Sequence, residues 1–206
     1  MAITFPRELP AVGYATADFI LSDPVKTSAS GAQRFNYTQI SDPVWEARLV
    51  TTPLDYWQFT ELEAWWLSMR EGIRGGVLFR HPRVCLPKNH SQNQAPAEVA
   101  GSLTGVTGGN VLSVTGVDAG LSLGVGDRIG LERAGRYHVG KITEVTGTGT
   151  SRSITIEPPP PAAVSAFGTV VRFARPAVHM RPVPGSWAPR ETEGLYIVSF
   201  SLLEMP

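Results

Sequence analysis

The feature that most restricts this chain is its punctuation. Gly (21 residues) and Pro (17) make up close to a fifth of the 206 residues, and they fall between short apolar runs instead of gathering in one segment. Glycine gives the chain positive φ for tight turns, and proline removes a donor from any helix or ladder that contains it. A chain interrupted this often builds short strands and many turns, so the expected class is mainly β.

The strands expected near both ends can be placed by their alternation. Residues 17–21 are a short apolar run ended by Ser22-Asp23-Pro24. Residues 34–40 alternate, with Phe35, Tyr37 and Gln39 on one face. Residues 44–51 (VWEARLVT) alternate with Trp45, Ala47 and Leu49 together. A short strand over 77–80 follows Gly75-Gly76. The run 194–203 (GLYIVSFSLL) sets Leu195, Ile197 and Ser199 against Tyr196, Val198 and Phe200. A strand apolar on both faces is buried on both sides or lies at an interface.

One segment has helical period. Apolar residues recur at Phe59, Leu62, Trp66, Met69 and Ile73, which predicts a helix near 59–71. Thr60 with Glu63 has the spacing of a capping box, and Gly72 supplies a stop. Trp65 points about 100° away from Trp66 on such a helix. It either shares the core or anchors a neighbouring subunit. Trp65, Tyr196, Val198 and Phe200 are therefore the candidate subunit-interface residues.

Between about Ala97 and Arg175 the texture changes to Gly, Val and Thr, with strands expected over 128–132, 137–145, 152–156 and 169–173. Turns fall at Gly108-Gly109, Ala134-Gly135 and Gly147 to Gly149. Short strands at this spacing suggest a small barrel or sandwich. The polar stretch 88–96 (KNHSQNQAP) reads as the leading linker and Ala174-Arg175-Pro176 as the trailing one. The expected organisation is a core from 1–96 and 176–206, with a peripheral β domain inserted at 97–175.

Composition excludes several function classes. Lys plus Arg and Asp plus Glu are balanced at 18 each, so no basic excess argues for nucleic acid. Charged residues are only 17% of the chain, below the usual quarter and in keeping with a surface that meets other subunits. No run of about 18 apolar residues offers a membrane-spanning helix, and residues 1–10 lack the pattern of a secretion leader. Cys85 is the single cysteine, so no intrachain disulfide forms.

Motifs for chemistry are thin. There is no phosphate-binding GxxxxGK and no GxSxG elbow. Gly124, Gly126 and Gly130 have the wrong last spacing for a dinucleotide fingerprint, and no helical pattern follows. His81, Cys85 and His90 lack a fourth nearby metal ligand. His138 lies in an alternating strand and reads as exposed or hydrogen-bonded, while His179 has no obvious partner. Glu132, Glu144 and Glu157 are spread over separate strands, a weak basis for paired-carboxylate hydrolysis. The proline run 158–161 reads as a rigid turn between strands. No catalytic, cofactor or metal residue is expected, and the chain reads as a non-enzyme.

Order and texture over most of the chain carry a resemblance. ITFP leads to a β section, the helix ELEAWWLSMREG and a GG-x-L-F strand. VGDRIGLERAGRYHVGKITEV, ITIEPPP and VVRFARPAVHMRPVP follow, and then a last apolar strand. The chain resembles the distal tail proteins of long-tailed bacteriophages and related minor tail proteins. The resemblance implies a β-sandwich core with one helix that forms a ring, usually hexameric, between the tail tube and the tail-tip hub. It also implies a second, galectin- or oligonucleotide-fold-like β domain pointing outward. The implied partners are copies of the chain, the tail tube protein, hub or tip proteins, and receptor-binding proteins or host surface glycan. The implied place is the virion tail, with the host cytoplasm during assembly. The alternatives are a carbohydrate-binding accessory tail protein and a tail-tube or terminator subunit. Tube proteins usually carry a long stacking hairpin, which the sequence does not reveal.

Overall fold

A computed structural model describes residues 3–30 and 34–205. The fold is mainly β, with one main helix and a closed six-stranded barrel placed between the two ends of the chain. The first section holds β1 (Arg7–Glu8), β2 (Tyr14–Ser22), β3 (Val25–Ser30), β4 (Arg34–Gln39), β5 (Val44–Thr51), α1 (Tyr56–Met69) and β6 (Val77–Arg80). A one-turn helix, α2 (Ala95–Glu98), precedes β7 (Gly101–Thr107), β8 (Val111–Thr115), β9 (Arg128–Arg133), β10 (Arg136–Thr146), β11 (Ser151–Glu157) and β12 (Val170–Arg172). β13 (Ala177–Pro182), β14 (Ala188–Thr192) and β15 (Leu195–Glu204) follow. Among the described residues no helix is long and apolar enough to cross a membrane.

Leu78–His179 form one compact unit and the two flanking segments form the other. The sequence places the inserted domain at 97–175, so the unit begins earlier than expected. The polar stretch 88–96 is not a free linker. The Lys88 amide donates to Asp127, Asn89 donates to the Ser122 hydroxyl, and His90 Nε2 accepts from the Ser122 amide at 2.7 Å. A linker-like composition here is a loop tied down by polar contacts.

In the flanking unit β15, β5 and β2 run side by side in one open sheet, with β14 also paired to β15. The alternation of β5 gives one buried face: Trp45, Ala47, Leu49 and Thr51 are buried. β15 contributes Val198, Phe200, Leu202 and Glu204. Helix α1 buries Leu62, Trp65, Trp66 and Met69, the i, i+3, i+4, i+7 set of an amphipathic helix. The rings form one cluster. Trp66 lies 5.4 Å and Trp65 6.0 Å from Phe200, and Trp187 stacks on Trp66 at 5.1 Å.

The helix starts earlier than the sequence suggests. Asp55 is the N-cap. Its carboxylate accepts from the Gln58 amide at 2.8 Å, and Gln58 Oε1 accepts from the Asp55 amide at 3.2 Å. This is a capping box built from Asp and Gln. Thr60, expected to cap, sits inside the helix and donates to the Tyr56 carbonyl. The helix ends at Met69, with Arg70 as a left-handed cap at φ 46°, ahead of the expected stop at Gly72.

The barrel closes in the order β10-β11-β8-β7-β12-β9, and all of its pairings are antiparallel. Ala134 and Gly135, at φ 48° and 76°, form the two-residue turn between β9 and β10, as a type I′ hairpin requires. Leu103, Leu112, Ile129, Leu131, Ile142 and Ile154 fill the interior. Irregularities at Leu103/Gly105 and Ile142/Glu144 interrupt the ladders, and bulges of this kind add the local bend that closure needs. Gly140 lets β11 approach: a Cβ there would lie 2.5 Å from Ile156 Cδ1 and 2.8 Å from its Cβ.

Candidate assembly surface

An exposed apolar face belongs to the hairpin that includes the strand expected over 34–40. β2 pairs with β5 as far as Ser22↔Val44. Beyond that point β3 pairs only with β4, from Val25↔Gln39 outward, and the Ile40 amide donates to the Pro24 carbonyl across the join. Cross-strand partners share a face. Val25↔Gln39, Thr27↔Tyr37 and Ala29↔Phe35 therefore lie on one side, and Lys26↔Thr38 and Ser28↔Asn36 on the other. This is the alternation of a strand with one face to bury. Yet residues 25–29 and 35–40 are all exposed, Phe35 at 62% and Tyr37 at 70%. A two-stranded hairpin alone is marginal in water.

A second aromatic cluster stands at the start of α1. Trp57 is 75% exposed and Tyr56 is exposed beside it, with ring centroids 5.5 Å apart and edge-on. Tyr196 stacks on Phe59 at 4.3 Å and lies 6.5 Å from Tyr56. Reciprocal backbone bonds between Leu54 and Tyr196, at 2.8 and 2.9 Å, hold β15 against the segment that enters the helix. The cluster is therefore fixed by backbone and not by loop packing.

The expected interface residues divide. Tyr196 is half-buried and belongs to this surface cluster. Trp65, Val198 and Phe200 do not: they are buried within their own unit, Trp65 at 4% exposure. Trp65 also donates its indole N–H to the Glu8 carbonyl at 3.0 Å. The apolar sector of α1 is wide enough to hold side chains 100° apart, so lying off the narrow stripe does not place a residue outside the core. Val198 and Phe200 occupy the inward face of β15, whose outward residues Ser199 and Ser201 are half-buried. The signal that was available for the surface cluster is the pair Tyr56-Trp57, which precedes the stripe directly after the cap.

Most of the histidines and carboxylates weighed for chemistry are held in local hydrogen bonds or ion pairs. His81 Nδ1 accepts from the amides of Arg83 and Val84 at 3.1 and 2.8 Å, and the Cys85 thiol donates to the His81 carbonyl. His90 bonds the Asn93 carbonyl through Nδ1. Among the described residues no group of three or more His, Cys, Asp or Glu could hold a metal ion. His138 is buried and bonds the Pro158 carbonyl at 3.1 Å, and burial pushes its pKa down to about 4. His179 is half-buried, its Nε2 has no hydrogen-bond partner, and burial and the charge of Arg136 lower its pKa. Glu132 pairs with Arg172 at 3.2 Å, and Glu157 accepts from Asn110 at 2.9 Å. Glu204 is buried, accepts from the Trp45 amide at 2.9 Å, and has its pKa pushed up to about 7 by desolvation.

No protein-family model and no curated protein matches this chain.

Proposed function

We propose that this chain is a structural subunit that assembles with copies of itself, and that the assembly is the distal ring of a long-tailed bacteriophage tail, between tube and hub. One observation carries the self-assembly: the β3–β4 hairpin has the alternation of a strand with a core face, and the aromatic side of that face is left in water by its own chain. A closed ring of identical subunits needs two unlike patches on each subunit. The hairpin face and the Tyr56–Trp57–Tyr196 cluster are two such patches within one unit. The order of sequence segments supports the tail as the setting.

The hairpin also favours a second reading, a tail-tube subunit, in which a long hairpin reaches the next ring of the stack. Electron microscopy and sedimentation of the purified chain separate the two. A single closed ring, expected with six subunits, supports the distal ring, and open stacks of rings support the tube. The variant Phe35→Ser/Tyr37→Ser is expected to keep its circular dichroism spectrum and lose the assembly. A chain that is monomeric both alone and in assembled particles rejects the proposal.

A further inference from the structure

The unit Leu78–His179 contains a cavity of about 510 Å³. Its wall comes from three stretches far apart in sequence: 83–88 with Ser91, 125–128, and Phe173 with Pro176. The charges on this wall are unequal. Arg83, Lys88 and Arg128 bring three cations, and Asp127 is the single carboxylate among the lining residues.

That carboxylate is already engaged with backbone. Its Oδ2 accepts from the Gly124 amide at 2.8 Å and its Oδ1 from the Lys88 amide at 3.1 Å. It fixes the two loops that carry the cations. The Lys88 ammonium is placed by the Val125 carbonyl at 3.0 Å and lies over Gly124. A Cβ on Gly124 would stand 2.5 Å from Lys88 Cε and 2.9 Å from Nζ. A fourth cation is close, since Lys141 Cε lies 3.9 Å from where a Cβ of Gly126 would be. Arg128 is half-buried, and burial alone disfavours its charged form.

We propose that this cavity binds a small ligand bearing an oxyanion, a carboxylate or a phosphate, held by Arg83, Lys88 and Arg128. A partly desolvated guanidinium gains most from a planar oxyanion, which it can meet with two parallel hydrogen bonds. The volume lies within the ordinary range for small-ligand sites of roughly 300–1,000 Å³. Val84, Leu86 and Phe173 give it an apolar side, as a ligand with a carbon body requires. This site is independent of the ring, and a failure of either proposal leaves the other standing.

The test is titration of the full chain at constant ionic strength with inorganic phosphate, glucuronate and glucose, followed through its amide resonances. Saturable shifts confined to residues 83–91 and 124–128 are expected with an anion, and none with glucose. Response to phosphate alone assigns a bare phosphate site, and tighter response to glucuronate assigns an acidic saccharide; both support the proposal. Arg83→Gln/Lys88→Gln, two exposed side chains, is expected to weaken binding at least tenfold with the remaining resonances in place. If the double variant misfolds, Lys88→Gln alone is expected to weaken binding severalfold. No saturable shift with either anion overturns the proposal, and so does unchanged affinity in a folded variant.

Discussion

The two units of this chain treat the same raw material, alternating β strands, in opposite ways. In Leu78–His179 six strands close on themselves, so each strand of the barrel has a neighbour on both sides and the apolar faces meet inside. In the unit built from the flanking segments the sheet stays open, and β3–β4 carry an aromatic face into water without a third strand. Closure removes edges, and an open sheet keeps them available for pairing or covering by another chain. Alternation thus says that a face is to be buried, and the number of neighbouring strands decides whether the chain buries it itself.

The largest expected effect tests how far the open-sheet unit depends on its aromatic cluster. Trp66→Ala removes a ring in contact with Phe200 and Trp187 and is expected to cost about 3–5 kcal/mol. Trp65→Ala, equally buried, is expected to cost as much, and its indole bond to Glu8 is lost as well. Thermal melts of the two variants check this. A Trp65→Ala protein that melts like the parent would return that residue to the list of surface anchors and break the core described for this unit.

Next in size is a pH response of opposite sign in the two units. His138 in the barrel unit titrates at about 4 when folded, against an ordinary 6.5. Between those values the unfolded chain holds a proton that the folded chain refuses. Its contribution is complete above pH 6.5 and is lost as pH falls to 4, amounting to roughly 3 kcal/mol. Glu204 in the other unit titrates at about 7, against 4.5. Here the folded chain keeps the proton. Its contribution is complete below pH 4.5 and is lost as pH rises through 7, again roughly 3 kcal/mol. Hydrogen exchange of β10 and β15 amides, corrected for intrinsic rates, should move in opposite directions over this range. Glu204→Gln should flatten the β15 response, because the amide oxygen still accepts from Trp45. A common direction in both units contradicts the assignment.

Smaller again is the expected cost of filling the barrel's closest approach. Gly140→Ala presses a methyl group onto the Cβ of Ile156, which is fully buried and cannot swing away. A loss of about 1–3 kcal/mol is expected, as for other overpacked cores. The pair Gly140→Ala/Ile156→Val should recover part of it. A neutral Gly140→Ala would mean that the barrel wall yields more easily than its interior packing implies.

Much of this was legible in the sequence, for physical reasons that also mark where legibility ends. Strands 44–51 and 77–80 emerge with the expected bounds, and the turns at Gly108-Gly109 and Ala134-Gly135 lie between paired strands. Both signals are local, carried by alternation and by the need for positive φ. The start of α1 was misplaced because Asp55 and Gln58 form the box that Thr60 and Glu63 imitate. The roles of Trp65 and of Phe35 with Tyr37 were not legible. Which residues share a face is local information, whereas what covers that face depends on strands more than a hundred residues away. The cavity was hidden for the same reason, as its wall joins 83–91, 125–128 and 173–176.

The smallest expected effect on the fold is the one that bears most directly on assembly. Trp57 lies nine residues from Trp66 on the same helix, yet it is 75% exposed and its ring contact is the edge of Tyr56. Truncating an exposed side chain away from caps and cores usually changes stability by less than about 0.5 kcal/mol. Trp57→Ala is therefore expected to melt with the parent protein. An exposed tryptophan in an aromatic cluster is, however, the kind of residue that dominates a subunit contact once it is covered. If the Tyr56–Trp57–Tyr196 cluster receives a neighbouring copy, Trp57→Ala should reduce assembly by at least tenfold in subunit concentration, measured by sedimentation. If it assembles like the parent, the cluster is not one of the two patches. The hairpin's partner must then be sought elsewhere on the open-sheet unit, beginning with the exposed edge strand β14.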